Sequence, residues 1–121
     1  EYFTANGERV RSKSEIIIAD HLRRYGVVYK YEKPLELTVH GRRVTFYPDF
    51  TVMNSRTGRI YYLEHFGMMD NEDYYNAVLR KLDAFEMNQL LIGRDVLLLH
   101  ESSSAPLNTR VLDCYIQEYL V

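Results

Sequence analysis

Two apolar stretches of this sequence each carry one acidic residue, and this pattern constrains the fold more than any other. Residues 46–50 contain Asp49, and residues 60–66 contain Glu64, fifteen positions later. Side chains alternate along a strand, so Glu64 shares its face with two aromatic residues. Burying a carboxylate among apolar groups is costly unless something compensates its charge. A divalent cation shared by both acids would compensate them, so the pattern predicts a metal site between two neighbouring strands.

Length and composition indicate a single folded domain. The chain has 121 residues, of which 46% are hydrophobic, and this length and composition suit one α/β domain spanning 1–121. The formal net charge of −2 argues against a broadly basic surface that coats nucleic acid. Local basic patches remain compatible with this balance.

The cysteine content and the hydropathy pattern bear on localisation. Cys114 is the single cysteine, which excludes an intramolecular disulfide and fits a reducing compartment such as the cytoplasm. No apolar run approaches the ~20 residues of a membrane span, and no signal-peptide pattern is present. The chain begins at Glu1 rather than methionine. We therefore expect a domain from a longer protein, with no membrane partner.

Three segments have helical signals. Ser12 and Glu15 fit a capping box at the start of a helix over 13–25. An apolar stripe and acidic first-turn residues predict a second helix over 72–91. Thr109 is expected to cap a last helix that reaches the end of the sequence.

The segments between the helices read as strands. Residues 27–39 form an interrupted first strand, and 43–50 and 60–66 follow after short loops, which predicts an antiparallel meander with Asp49 at the end of its middle strand. Residues 96–99 are continuously apolar, which is typical of a buried parallel strand. The resulting order is α-β-β-β-α-β-α, with helices flanking a central mixed sheet.

This order and four short motifs resemble the PD-(D/E)XK nuclease superfamily, also called restriction-endonuclease-like. The similarity covers roughly residues 12–100, most of the chain, and its element order matches the α-β-β-β-α-β core of that superfamily. The motifs are Ser14-Glu15, Tyr31-Glu32, Pro48-Asp49-Phe50 and Glu64-His65-Phe66-Gly67.

The resemblance implies Mg²⁺- or Mn²⁺-dependent hydrolysis of DNA phosphodiester bonds. In the superfamily the aspartate, here Asp49, bridges metal and phosphate, and the second acid, here Glu64, binds the metal. The residue after the second acid, His65, supplies a backbone carbonyl. Glu15 corresponds to a helix glutamate that binds the metal directly or through water. Mg²⁺ commonly takes one or two carboxylates together with waters and substrate phosphate oxygens.

One catalytic position departs from the superfamily pattern. The lysine that orients the attacking water is expected two residues after the second acid, where this sequence has Phe66. Lys81 is the best substitute, because Tyr74, Ala77 and Lys81 share one face of the second helix. A second interpretation is similarity to the very-short-patch repair endonuclease branch, in which a glycine-ended turn follows the acid and a histidine assists.

Every candidate residue also has a structural explanation. Asp49 fits a turn after proline, Glu64 a salt-bridged strand position, and Glu15 a helix cap. The side chain of His65 points away from the face of Glu64 and suits a structural role, and Lys81 suits a solvated helix position.

The functional hypothesis is a metal-dependent endonuclease domain acting on DNA, with a role in DNA repair. The alternative is a catalytically degenerate module that keeps the nuclease fold to bind nucleic acid or protein within a larger repair or helicase-like protein. A third, weaker hypothesis is a hydrolase with another substrate. The sequence predicts neither oligomeric state nor sequence preference.

Overall fold

Four strands form the central sheet of the computed structural model, which describes residues 1–121. Their spatial order is β3 (Val28–Tyr31), β6 (Phe50–Met53), β7 (Ile60–Phe66) and β8 (Val96–His100). The first three strands are antiparallel neighbours, and β8 runs parallel to β7. The prediction of a parallel strand for the apolar run at 96–99 is therefore confirmed.

Two small hairpins accompany this sheet. Strands β1 (Tyr2–Phe3) and β2 (Arg9–Val10) pair in the segment before the first helix. Strands β4 (Leu35–Val39) and β5 (Arg42–Phe46) form the larger hairpin. The turn between β4 and β5 has positive φ at His40 and Gly41, as tight turns between antiparallel strands require.

Three helices complete an α/β fold. They are α1 (Lys13–Arg24), α2 (Glu72–Met87) and α3 (Thr109–Tyr115), and α3 continues as a π-helical turn over Ile116–Leu120. Ser12 caps α1 as predicted, with its side chain accepting the Glu15 N–H. The prediction that Thr109 caps the last helix is wrong, because Asn108 accepts the Arg110 N–H in that role. No helix combines the length and apolar character that crossing a membrane requires.

Antiparallel pairing predicted for the middle of the chain is present, but the prediction that 43–50 forms one strand is wrong. The stretch 43–50 is two strands, since β5 pairs only with β4, whereas β6 pairs with β3 and β7. Pro48 separates them, because proline fixes φ and lacks the N–H that a continuing ladder needs. Asp49 consequently precedes β6 instead of ending a strand.

The second helix is shorter than the predicted 72–91. It ends at Met87 with Asn88 as its C-cap, and Gln89 has a positive φ of 58°. This left-handed residue terminates the helix as glycine commonly does elsewhere. Leu90, within the predicted helix range, lies beyond the end of α2 and packs against the smaller core cluster.

The sheet carries a different apolar layer on each face. Helices α1 and α3 cover one face with a cluster of 13 buried residues that includes Leu22, Phe50 and Leu112. Helix α2 and the β4–β5 hairpin cover the other face around Leu37 and Phe85. The period-two pattern of β7 therefore sends alternate side chains into different layers.

The apolar stripe predicted for α2 is only partly buried. Val78 and Phe85 face the sheet, whereas Tyr75 and Leu79 remain 43% and 41% exposed. Tyr74, which is not part of the predicted stripe, also lies on the side of α2 that faces β7.

Candidate functional site

Asp49 lies at the edge of the sheet where β6 begins. The register of β6 and β7 ends with Phe50 opposite Leu63, so Asp49 and Glu64 are the next residues of the two segments at this end. One carboxylate oxygen of Asp49, Oδ2, accepts the backbone N–H of His65 at 2.7 Å. The strand register and this hydrogen bond together hold the Asp49 carboxylate against the end of β7.

Glu64 is completely buried on β7, with a relative exposure of 0%. Its Oε1 accepts a hydrogen bond from Lys81 Nζ at 2.5 Å, and its Oε2 has no hydrogen-bond partner. Burial first, and the charge of Asp49 second, raise the pKa of Glu64 to about 8, although Lys81 opposes the shift. The two acids predicted from sequence therefore lie together and interact.

Lys81 extends from α2 to the centre of this cluster. Its side chain is 24% exposed, so Lys81 contacts the buried Glu64 while part of its side chain remains accessible to solvent. This contact places Lys81, the residue proposed from sequence as the substitute lysine, beside Glu64. Phe66, at the position where the superfamily has lysine, is 5% exposed and closes the apolar side of the same pocket.

The cluster opens into a cleft of about 190 Å³ between α2 and the end of β7. Charged, aromatic and small side chains line it, namely Asp49, His65, Phe66, Tyr74, Ala77, Val78 and Lys81. The small residues on α2 leave room between Tyr74 and Lys81. A ligand in the cleft would meet a carboxylate and an ammonium group together.

His65 uses its backbone and its side chain in different ways. The ring faces the α1 layer, where Nε2 donates to Glu101 Oε1 at 2.6 Å. Ser14 of α1 donates to the same oxygen. The N–H and C=O of a strand residue point toward the same neighbouring strand, so the His65 carbonyl lies on the side of Asp49. The ring thus makes a structural contact with Glu101, while the backbone of His65 faces Asp49.

Glu15 is buried on the other layer. Its Oε1 accepts the Arg11 N–H at 2.8 Å, and Tyr31 Oη lies 3.3 Å from both carboxylate oxygens. Burial raises the pKa of Glu15, and the charge of Asp49 adds to the shift. Glu15 is close enough to interact with Asp49, but α1 places it across the sheet from the Glu64–Lys81 pair.

The chain brings together no group of three or more His, Cys, Asp or Glu side chains that could hold a metal ion. The side chains of the predicted set, Glu15, Asp49, Glu64 and His65, therefore do not converge on one point as three or more ligands of a single metal ion. The remaining donors are two carboxylates, one of them with an unpartnered buried oxygen, and one backbone carbonyl. This set fits Mg²⁺ or Mn²⁺, which keep several waters and need few protein ligands.

Glu101 was missed by sequence reasoning. It follows β8 and joins the ends of two strands to α1 through its contacts with His65 and Ser14. Its partners lie 36 and 87 positions away in the sequence, so no local pattern indicates the contact.

Replacing Glu101 with alanine is expected to lower the free energy of unfolding by about 1–3 kcal/mol, because two part-buried donors lose their acceptor. Urea unfolding of Glu101→Ala beside Glu86→Ala, an exposed position on α2, checks this. Equal losses in the two variants would show that the Glu101 contacts add nothing to stability.

Comparison with known proteins adds one distant relative. No protein-family model matches the chain. The chain is 29% identical over 126 aligned residues to an uncharacterized protein of Methanocaldococcus jannaschii. The alignment covers 93% of this chain and 10% of that protein, so the chain spans about a tenth of the length of its relative.

Proposed function

We propose that this chain is a metal-dependent nuclease domain that hydrolyses DNA phosphodiester bonds. The observation that carries the proposal is the contact between Lys81 and Glu64 beside Asp49. A lysine that reaches the second acid from α2 supplies the group that Phe66 replaces in the motif. Asp49 and Lys81 line one cleft, and the buried Glu64 contacts Lys81 beneath it. Two acids and a lysine are the components that the PD-(D/E)XK resemblance requires.

The topology supports a restriction-endonuclease-like fold. Helix α1 precedes three antiparallel strands, and α2 then leads to a strand parallel to β7. This is the α-β-β-β-α-β order of the superfamily once the β4–β5 hairpin is regarded as an insertion between β3 and β6. The insertion covers the α2 side of the sheet and leaves the edge with Asp49 open.

The residues divide the chemistry among them. Asp49, Glu64 and the His65 carbonyl would hold Mg²⁺ or Mn²⁺, with the Asp49 carboxylate also facing the phosphate. When bound, such a metal lowers the pKa of a coordinated water and neutralises charge on the phosphate. The unpartnered Oε2 of Glu64 is available as a ligand once that carboxyl loses its proton.

Lys81 is positioned to orient the attacking water. Its ammonium carries three donors, and Glu64 uses one of them. Lys81 lines the cleft, where its remaining donors can bind a water or a phosphate oxygen. A water held in this way has already lost translational and rotational freedom, which lowers the entropic part of the activation barrier.

A second candidate function is nucleic-acid or protein binding without turnover. Phe66 favours it, since the lysine position of the motif is occupied by a buried aromatic side chain. The module would then belong to a larger repair or helicase-like protein. Catalysis that depends on Lys81 separates the two candidates.

Replacing Lys81 with methionine is expected to reduce cleavage of plasmid DNA about 100-fold, because a positioned proton-handling group contributes roughly 100-fold or more. Nicking and linearisation are followed on gels with Mg²⁺, with Mn²⁺ and with EDTA. Arg80→Met is the matched control, since Arg80 is the exposed neighbour on α2. Circular dichroism confirms that both variants fold.

Cleavage by the parent that continues in EDTA, or equal activity of the two variants, would refute the proposal. A parent that binds DNA but neither cleaves it nor binds Mn²⁺ in a calorimetric titration would establish the binding module instead.

A further inference from the structure

Tyr74 has a hydrogen-bond donor that the protein does not use. Its hydroxyl accepts the Gly67 N–H at 2.9 Å, and it donates to no protein group. A phenol offers one donor and two acceptor positions, so the contact with Gly67 leaves the O–H proton free. The contact also fixes where the oxygen lies, at the end of β7.

The free donor faces the proposed active site. Tyr74 lines the same cleft as Asp49 and Lys81. Burial is the main cause that raises the pKa of Tyr74, and the charge of Asp49 adds to the shift, so the hydroxyl keeps its proton at neutral pH. A half-buried neutral donor beside the charged groups of Asp49 and Lys81 is a polar feature that core packing does not need.

Helix α2 presents Tyr74 and Lys81 as a pair. They are seven residues apart, two turns on one face, which corresponds to about 10 Å along the axis. Ala77 and Val78 lie between them and leave space for a ligand. Phosphate oxygens accept hydrogen bonds and carry negative charge, so they match two donors of which one is positive.

We propose that Tyr74 is a substrate-binding residue that donates a hydrogen bond from its hydroxyl to a non-bridging oxygen of the phosphodiester held beside Asp49. The inference rests on the proposed function in taking a phosphodiester as the ligand. It adds a contact that is absent from the acid and lysine motif. Tyr74 and Lys81 would hold the phosphate from the α2 side of the cleft, and Asp49 from the strand side.

The adjacent residue provides a matched control. Tyr75 is 43% exposed and does not line the cleft, so Tyr75→Phe removes a hydroxyl from the same helix without touching the site. Tyr74→Phe removes the donor and keeps the ring. It also removes the acceptor of the Gly67 N–H, so unfolding temperatures of both variants are measured alongside binding.

The test measures affinity for a fluorescently labelled single-stranded oligonucleotide by anisotropy in EDTA, where cleavage is blocked. Tyr74→Phe is expected to bind about tenfold more weakly than the parent, as loss of a hydrogen bond to a charged acceptor predicts, and Tyr75→Phe as tightly as the parent. Steady-state cleavage in Mn²⁺ should show a raised KM for Tyr74→Phe with a smaller change in kcat.

Equal affinity of the two variants overturns the inference. So does a lower unfolding temperature for Tyr74→Phe with unchanged affinity, which would make Gly67 its only partner. A parent that binds the oligonucleotide through Tyr74 but never cleaves DNA overturns the nuclease proposal and leaves the phosphate contact standing. A parent that binds no oligonucleotide overturns the contact.

Discussion

Asp49→Asn is expected to reduce metal-dependent DNA cleavage by about 1,000-fold, because metal coordination supplies several kcal/mol of transition-state stabilisation and each 1.36 kcal/mol is a factor of ten. The fold should persist, since an amide oxygen can still accept the His65 N–H that Asp49 Oδ2 accepts now. The loss therefore reports on the charge of Asp49 and its ability to bind a metal. Single-turnover cleavage in Mn²⁺ measures the rate.

Asp83→Asn is the control for this variant. Asp83 is exposed on α2 and makes no side-chain hydrogen bond, so its loss should leave cleavage unchanged. A calorimetric titration with Mn²⁺ should show weaker binding to Asp49→Asn alone. If Asp49→Asn cleaved DNA at the parental rate, Asp49 would be a turn residue and the proposed site would be wrong.

The second large effect is a fall in stability of the metal-free protein as pH rises toward 8. Glu64 has an ordinary pKa of 4.5, and burial with the nearby Asp49 charge raises its pKa to about 8 in the fold. Between these values the folded state keeps a proton that the unfolded state has released. Stability from this group is complete below pH 4.5 and is lost as pH rises to about 8.

The slope follows from proton linkage. One proton bound only by the folded state lowers the free energy of unfolding by at most about 1.4 kcal/mol per pH unit. Across the window the loss attributable to Glu64 amounts to a few kcal/mol, a large share of the stability of a small domain. Lys81 limits the loss, because its ammonium stabilises the carboxylate once the proton leaves.

Urea unfolding in EDTA at several values between about pH 5 and pH 8 measures this slope. Glu64→Gln replaces the carboxyl with a neutral group of the same shape, so its slope should be shallower by the contribution of Glu64. Glu72→Gln, an exposed position on α2, should behave like the parent. Parallel slopes for the parent and Glu64→Gln would show that Glu64 titrates normally.

Local sequence patterns predicted the elements and the separation of the two faces of β7. Alternation placed Glu64 opposite the face of His65, and it does face α2 while the His65 ring faces α1. The apolar run at 96–99 predicted a parallel buried strand, and the register beside β7 confirms it. These features depend on neighbours in sequence, so local periodicity is sufficient to identify them.

Features that depend on distant pairing were predicted less well. Reading 43–50 as one strand failed because Pro48 ends one ladder and the next residues join another. The prediction that Glu15 joins the other ligands depends on tertiary packing, because α1 and α2 cover opposite faces of the sheet. No spacing along the chain encodes which face a helix will cover, since several packings satisfy the same apolar stripe.

The sequence by itself determined that two acids stand at the ends of neighbouring strand segments and that Lys81 shares a helical face with Tyr74. Only the tertiary structure decided that Lys81 reaches Glu64 at 2.5 Å and that Tyr74 turns its hydroxyl to Gly67. The reason is physical. The orientation of α2 about its axis is set by its packing against the sheet and the β4–β5 hairpin. In this orientation Tyr74 and Lys81 face the end of β7, beside Asp49 and Glu64.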